Sequence, residues 1–191
     1  MYLAARTGRV RFPDPTYEHN QAGFPLVLVG ATFAQYCVWD ALRALDYLVS
    51  HPEVDPARIG CVGHFGGATM TMFLCALEPR IQVAVSVEGH FHNVAGPHYE
   101  PPGGYGDAEQ DIVGSLPMKI DRGDLFFAIA PKPLLLCYTP QDGSGDKDPN
   151  YLTSVREVFD EAKRAYWRRD RLGEMEERTS TRIMCRVDLK S

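Results

Sequence analysis

From Val38 to Val49 the apolar residues Val38, Ala41, Leu42, Leu45, Leu48 and Val49 recur at helical spacing, with Asp40, Arg43 and Asp46 off the stripe. That stripe predicts an amphipathic helix lying on a core. His51-Pro52 closes it, because the residue before a proline is pushed out of the helical region. After the turn Val54-Asp55-Pro56-Ala57-Arg58, the run Ile59 to Val62 reads as a short buried strand. Gly66 to Leu77, rich in small and apolar residues, reads as a helix closed by Glu78-Pro79-Arg80, and Ile81 to Val87 as the next strand. Near-continuous apolar strands of this kind suit a parallel sheet covered on both faces.

Further along, Asp124 to Ala130 predicts a short helix capped by Asp124, and Leu134 to Tyr138 another buried strand. Tyr151 to Tyr166 carries a second clear stripe of Val155, Val158, Phe159, Ala162 and Tyr166. Residues 1–23 read as irregular and exposed, because Phe12-Pro13-Asp14-Pro15 and the polar Tyr17 to Asn20 break any continuous element. Residues 89–123, dense in Gly, Pro, His and Tyr without a period, read as a lid or substrate-binding insertion. Alternating strands and helices give an α/β fold with a mostly parallel sheet. The expected layout is one domain over residues 1–167 and a charged C-terminal tail over 168–191.

Composition narrows the function classes. The chain has 191 residues, 45% hydrophobic and 24% charged, which suits one soluble globular domain. A net charge of −5 leaves no basic excess to neutralise phosphates, so nucleic acid is not the expected partner. No apolar run is long enough for a membrane span, and the stretch from Phe24 to Val38 is broken by Pro25, Gly30, Thr32 and Gln35. Met1 to Val10 holds Arg6 and Arg9 but no apolar core of a secretory signal. The five cysteines lack CxxC spacing, and Cys61 and Cys137 fall in apolar runs. They are expected as free thiols in a reducing, cytoplasmic compartment.

The segment with the most chemistry is Gly63-His64-Phe65-Gly66-Gly67, entered from a strand and left directly into a helix. Strand, sharp glycine-assisted turn and helix together lift one side chain above the end of a sheet, as in a nucleophile elbow. The lifted residue here is Phe65, which has neither a lone pair nor a proton to give. Glu88, His90, His92 and His98 cluster after a strand, where a zinc site and pocket-lining histidines are both conceivable; the latter is the expectation, with no metal. Ser144, between Gly143 and Gly145, lacks the strand-to-helix context of a nucleophile.

Trp39 to Leu48, Pro52 to Gly60, Gly63 to Gly67 and Ala130 to Leu136, in that order, resemble the α/β-hydrolase superfamily and, within it, the acetyl-xylan-esterase and dienelactone-hydrolase-like branch. The resemblance covers residues 24–167. It implies a three-layer sandwich and hydrolysis of a carboxylic ester through an acyl-enzyme, without a cofactor. It places Phe65 at the nucleophile position, Asp142 at the acid position with Glu88 as the alternative, and the Gly66 N–H in the oxyanion hole. His64, His90 and His92 would line the substrate pocket. The chain departs from the pattern at three places. Phe65 replaces the nucleophile, all six histidines precede residue 99 whereas the family's base follows the last strand, and the family's early strands have no counterpart after Met1.

The expectation is therefore a hydrolase-like domain, missing its N-terminal strands, that is inactive or impaired. One alternative is a non-catalytic protein holding a small ester, an apolar ligand or a partner in a cleft lined by Phe65, Met70 and residues 89–123. The other is a truncated product, self-associating through an uncovered sheet edge.

Overall fold

The computed structural model describes residues 15–87, 107–137, 151–173 and 183–185. They form five helices, α1 (Pro15–Val27), α2 (Phe33–Val49), α3 (Gly66–Leu77), α4 (Arg122–Ile129) and α5 (Tyr151–Gly173). Four strands, β1 (Ile59–His64), β2 (Ile81–Val87), β3 (Leu134–Cys137) and β4 (Ile183–Cys185), pair in the order β1-β2-β3-β4, all parallel. The α/β architecture with a parallel sheet is as the sequence implies.

α3 packs on β1 and β2 and touches α4, which in turn touches α5. The core between them holds Met72, Cys75, Ala84, Phe126, Ile129, Leu136, Val155 and Val158, all buried. Alternation along β1 and β2 sends Ile59, Ala84 and Ser86 inward. Full cover on both faces does not hold among the described residues: Val62 and Val83 on the opposite face are 72% and 42% exposed. β1 is also the edge of the described sheet.

Several boundaries depart from the sequence expectation for local reasons. The first is α1, which occupies a segment expected to be irregular. Pro15 stands at its first position, where a missing N–H costs nothing, and Pro25 falls in its last turn. Gly23 is required by tertiary contact, since a Cβ there would lie 2.5 Å from the Cβ of Ala108. Gly30, at φ 71°, then turns the chain out of the helix. α2 begins five residues before Val38 because Thr32 caps it, with Gln35 Oε1 accepting the Thr32 N–H at 3.3 Å. For α4 the cap is Asp121, whose carboxylate accepts the Arg122 N–H at 2.7 Å. Asp124, the expected cap, instead accepts the Asp121 N–H at 2.7 Å. α5 continues past Tyr166 to Gly173, and β4 lies within the stretch read as tail.

The end of α3 is held by charge. Lys132 Nζ donates to the carbonyls of Cys75 and Glu78 at 2.7 and 2.8 Å, satisfying acceptors that a helix terminus leaves open. Glu78 takes a forked pair from Arg80 (2.8 and 2.7 Å), and Arg80 also reaches Asp46 on α2 at 2.7 Å. The hydrogen bond from Arg80 pulls the Glu78 carboxyl down to about 2, against the opposing effect of its burial. A depressed carboxyl stabilises the fold above its unfolded value and loses that contribution as pH falls through the folded value. Glu78→Gln should therefore cost about 1–2 kcal/mol at neutral pH. The difference from wild type should shrink as pH falls from about 4.5 to about 2 in urea melts. A constant difference across that window would remove Glu78 from the account.

Among the described residues, no helix is long and apolar enough to cross a membrane. The described cysteines Cys37, Cys61, Cys75 and Cys137 are free thiols; Cys61 and Cys137 are half-buried, less enclosed than their apolar runs suggested.

Candidate functional site

β1 ends at His64 and α3 begins at Gly66, so Phe65 alone makes the bend. Its backbone sits at φ 57° and ψ −120°, a conformation that costs a non-glycine residue on the order of 1–3 kcal/mol. Three hydrogen bonds hold it there. The Phe65 N–H donates to the Val87 carbonyl at 3.0 Å, and its own carbonyl accepts from the N–H groups of Ala68 and Thr69 at 2.9 and 3.2 Å.

The neighbouring glycines explain how the bend can be so tight. A Cβ on Gly63 would fall on the carbonyl of Gly67, so strand end and first helical turn meet backbone to backbone. The helix is fixed from the sheet as well, since the buried Ser86 hydroxyl donates to the Ala68 carbonyl at 2.9 Å. Phe65 is 44% exposed as a residue, with its ring centroid 5.9 Å from that of the exposed His64.

Residues 107–111 lie across this bend. The Thr69 hydroxyl donates to buried Gln110 at 2.9 Å, and the Glu109 carboxylate lies where a Cβ on Gly66 would go. That puts a negative group beside the first residue of α3, the end of a helix that favours anions. The same segment binds α1 and α2. Asn20 Oδ1 accepts the Ala108 N–H at 2.9 Å, and the Thr32 hydroxyl donates to the Asp111 carbonyl. His19 Nδ1 stands 2.9 Å from Asp107 Oδ1 and 3.6 Å from Glu109 Oε2.

Charge is crowded at this junction. Burial raises the Glu109 carboxyl, and Asp107 raises it further while His19 opposes. Burial likewise raises Asp111, countered by Arg122, whose Nη2 lies 3.3 Å from Asp111 Oδ1. The Cys37 thiol is pushed up by burial and then by Glu109, Asp40 and Asp107. On the inner side of the bend, Cys61 Sγ lies 3.4 Å from the Thr71 hydroxyl. A hydrogen bond from Cys75 holds the Cys61 thiol below the ordinary range, with Thr71 adding to it.

Of the residues singled out in the sequence, Phe65, Gly66 and His64 come together at this bend. Glu88, His90, His92 and Asp142 lie outside the described residues. The sequence reading missed His19, Asp107 and Glu109; residues 108–110 form a turn, so no strand or helix period marks the two carboxylates as neighbours. A cavity of about 260 Å³ lies beyond this loop, lined by Phe73, Leu116, Ile120, Arg122 and Leu125 among others. Another, of about 340 Å³, separates α1 from the loop near Phe24, Phe33 and Val113. Phe65 and Met70 line neither cavity.

Residues 42–111 match the family model described as "BAAT / Acyl-CoA thioester hydrolase C terminal". The chain is 31% identical over 139 residues to the Bacillus subtilis (strain 168) protein named "Putative hydrolase YtaP". That alignment takes in 68% of this chain but 44% of the relative, so the chain spans less than half of that protein's length. Among solved structures, a CE15 glucuronoyl esterase from Teredinibacter turnerae T7901 superposes with a TM-score of 0.52 at 20% identity, over 71% of this chain and 35% of that one. A second CE15 glucuronoyl esterase, from Caldicellulosiruptor kristjansonii, gives 0.52 at 15% identity, over 72% of this chain and 42% of the other. At such identities the likeness is one of fold.

Proposed function

Because this chain belongs to the α/β-hydrolase superfamily, we propose that its β1–α3 bend is the fold's nucleophile elbow, carrying an inert ring at the reactive position. The protein is then an esterase-like hydrolase-fold protein that does not turn esters over through an acyl-enzyme. The observation behind this reading is the Phe65 backbone, at φ 57° and ψ −120° between a parallel strand and a helix. An elbow accepts that strain because it aims one side chain outward and leaves the next backbone N–H groups to receive an oxyanion. Gly66 supplies one such N–H. A phenyl ring supports the geometry but has no lone pair to attack a carbonyl.

The remaining parts follow from the resemblance. Asp142, or else Glu88 immediately after β2, holds the acid position, and a carboxylic ester such as an acetylated sugar is the ancestral substrate. The decisive measurement is p-nitrophenyl acetate turnover with and without a serine-directed phosphonate. The expected result is no phosphonate-sensitive turnover and no mass addition to the intact protein. Stoichiometric phosphonylation that abolishes turnover would place an active serine elsewhere in this chain and end the reading.

A second reading, binding without turnover, draws support from the cavity walled by Phe73, Leu116, Ile120 and Leu125. It requires an apolar ligand to raise the melting temperature while leaving it chemically unchanged.

A further inference from the structure

The junction of α1 with residues 107–111 gathers more ligand chemistry than the elbow itself uses. We propose that His19, Asp107 and Glu109 form a binding site for a divalent transition-metal cation on the rim of the β1–α3 bend.

Three observations lead there. The first is spacing. One ligand atom from each residue lies within 4.8 Å of the others, and His19 Nδ1 is 2.9 Å from Asp107 Oδ1 and 3.6 Å from Glu109 Oε2. Adjacent ligands bound at roughly 2.0–2.2 Å to one cation stand about 3.0–3.6 Å apart, so these atoms already lie near a shared coordination sphere.

The second is chemistry. One imidazole and two carboxylates make an N/O set that suits Mn²⁺, Fe²⁺ or Zn²⁺, whereas Ca²⁺ and Mg²⁺ favour oxygen alone. A cation binds an imidazole in its neutral form, and the two carboxylates then bring a double negative charge that a divalent cation balances.

The third is support. His19 is set on a helix and the two carboxylates on a segment 88 residues away from it. That segment is fixed by side chains that are not themselves ligands. Asn20 holds the Ala108 N–H, and Gln110 is tied to Thr69. Ligands oriented by such outer contacts lose less freedom on binding. The cation would bridge α1 to the elbow, because the Glu109 carboxylate also rests against Gly66. This site stands whatever position 65 does.

The same three side chains could instead hold together as a protonated imidazole between two carboxylates, and the experiment separates the two arrangements. The full chain is stripped with EDTA, dialysed, and titrated with Mn²⁺ at neutral pH. The free Mn²⁺ electron-spin resonance signal and the melting temperature are followed together. Mn²⁺ is chosen because its preference for thiols is weak, so Cys37 does not compete.

Binding of one equivalent with a rise in melting temperature is expected, and His19→Ala and Glu109→Gln should each weaken it by about tenfold or more. Glu109→Gln removes like charge from the junction, so without Mn²⁺ it should melt no lower than wild type; this keeps the test valid if His19→Ala loosens α1. Absence of binding at millimolar Mn²⁺ would overturn the proposal, and so would equal binding by wild type and Glu109→Gln.

Discussion

Gly63→Ala is expected to lose about 4 kcal/mol or more, enough to abolish cooperative folding in a domain of ordinary stability. The added methyl would fall on the Gly67 carbonyl and, at 2.7 Å, against the Thr71 hydroxyl. A hydroxyl can rotate away; a backbone carbonyl cannot. Neither partner is free to retreat, since Gly63 is in register with Ser86 on β2 and Ser86 holds α3 through the Ala68 carbonyl.

The two following glycines give internal controls. Gly66→Ala meets the far end of the flexible Glu109 side chain, so a smaller loss is expected there. Gly67→Ala meets nothing within 4 Å and stands in the first turn of a helix, where alanine is favoured by about 0.5–1 kcal/mol. Urea melts of the three variants should therefore rank Gly67, Gly66, Gly63 from most to least stable. A Gly63→Ala protein within about 1 kcal/mol of wild type would mean that strand and helix do not meet as described.

This contrast shows what the sequence could and could not convey. The bend was legible because its requirements are local: an apolar strand, glycines where backbones touch, and a helix of small residues. α3 and β2 have the limits the pattern implied for the same reason. α1 was not legible, because Pro15 and the polar Tyr17 to Asn20 read as breaks, and Gly23 and Pro25 lie further along the same helix. Pro15 is tolerated by its place in the first turn and the glycine by Ala108, which is distant in sequence, while Pro25 removes one helical N–H in the last turn. The start of α2 was available in principle, since Thr32-Phe33-Ala34-Gln35 has the spacing of a capping box.

The junction of His19 with Asp107 and Glu109 depends on α1 and on a tertiary contact across 88 residues, so no window of sequence contains it. The two candidates for the acid position, Asp142 and Glu88, lie outside the described residues.

The new thiol in Phe65→Cys is expected to react with iodoacetamide at neutral pH about tenfold faster than Cys37 in the same protein. Helix N-termini lower thiol pKa values by favouring the thiolate, and position 65 is an exposed residue at the cap of α3. Cys37 is a fitting reference, because burial and the carboxylates of Glu109, Asp40 and Asp107 all raise its thiol. Glu109 works against the helix at position 65 too, since its carboxylate rests beside Gly66. Adding Glu109→Gln should then accelerate the reaction by a further three- to tenfold, on the order of half to one pKa unit.

EDTA in the buffer keeps a cation at His19 from neutralising Glu109 and hiding its effect. Peptide mass analysis assigns each alkylated thiol. A rate no higher than that of Cys37 would mean the side chain at position 65 does not project from a helix N-terminus. Slowing by Glu109→Gln would mean that the carboxylate orders the bend more than its charge burdens it. With the expected pair of results, position 65 would have the electrostatics of a nucleophile site while its natural side chain leaves that field unused.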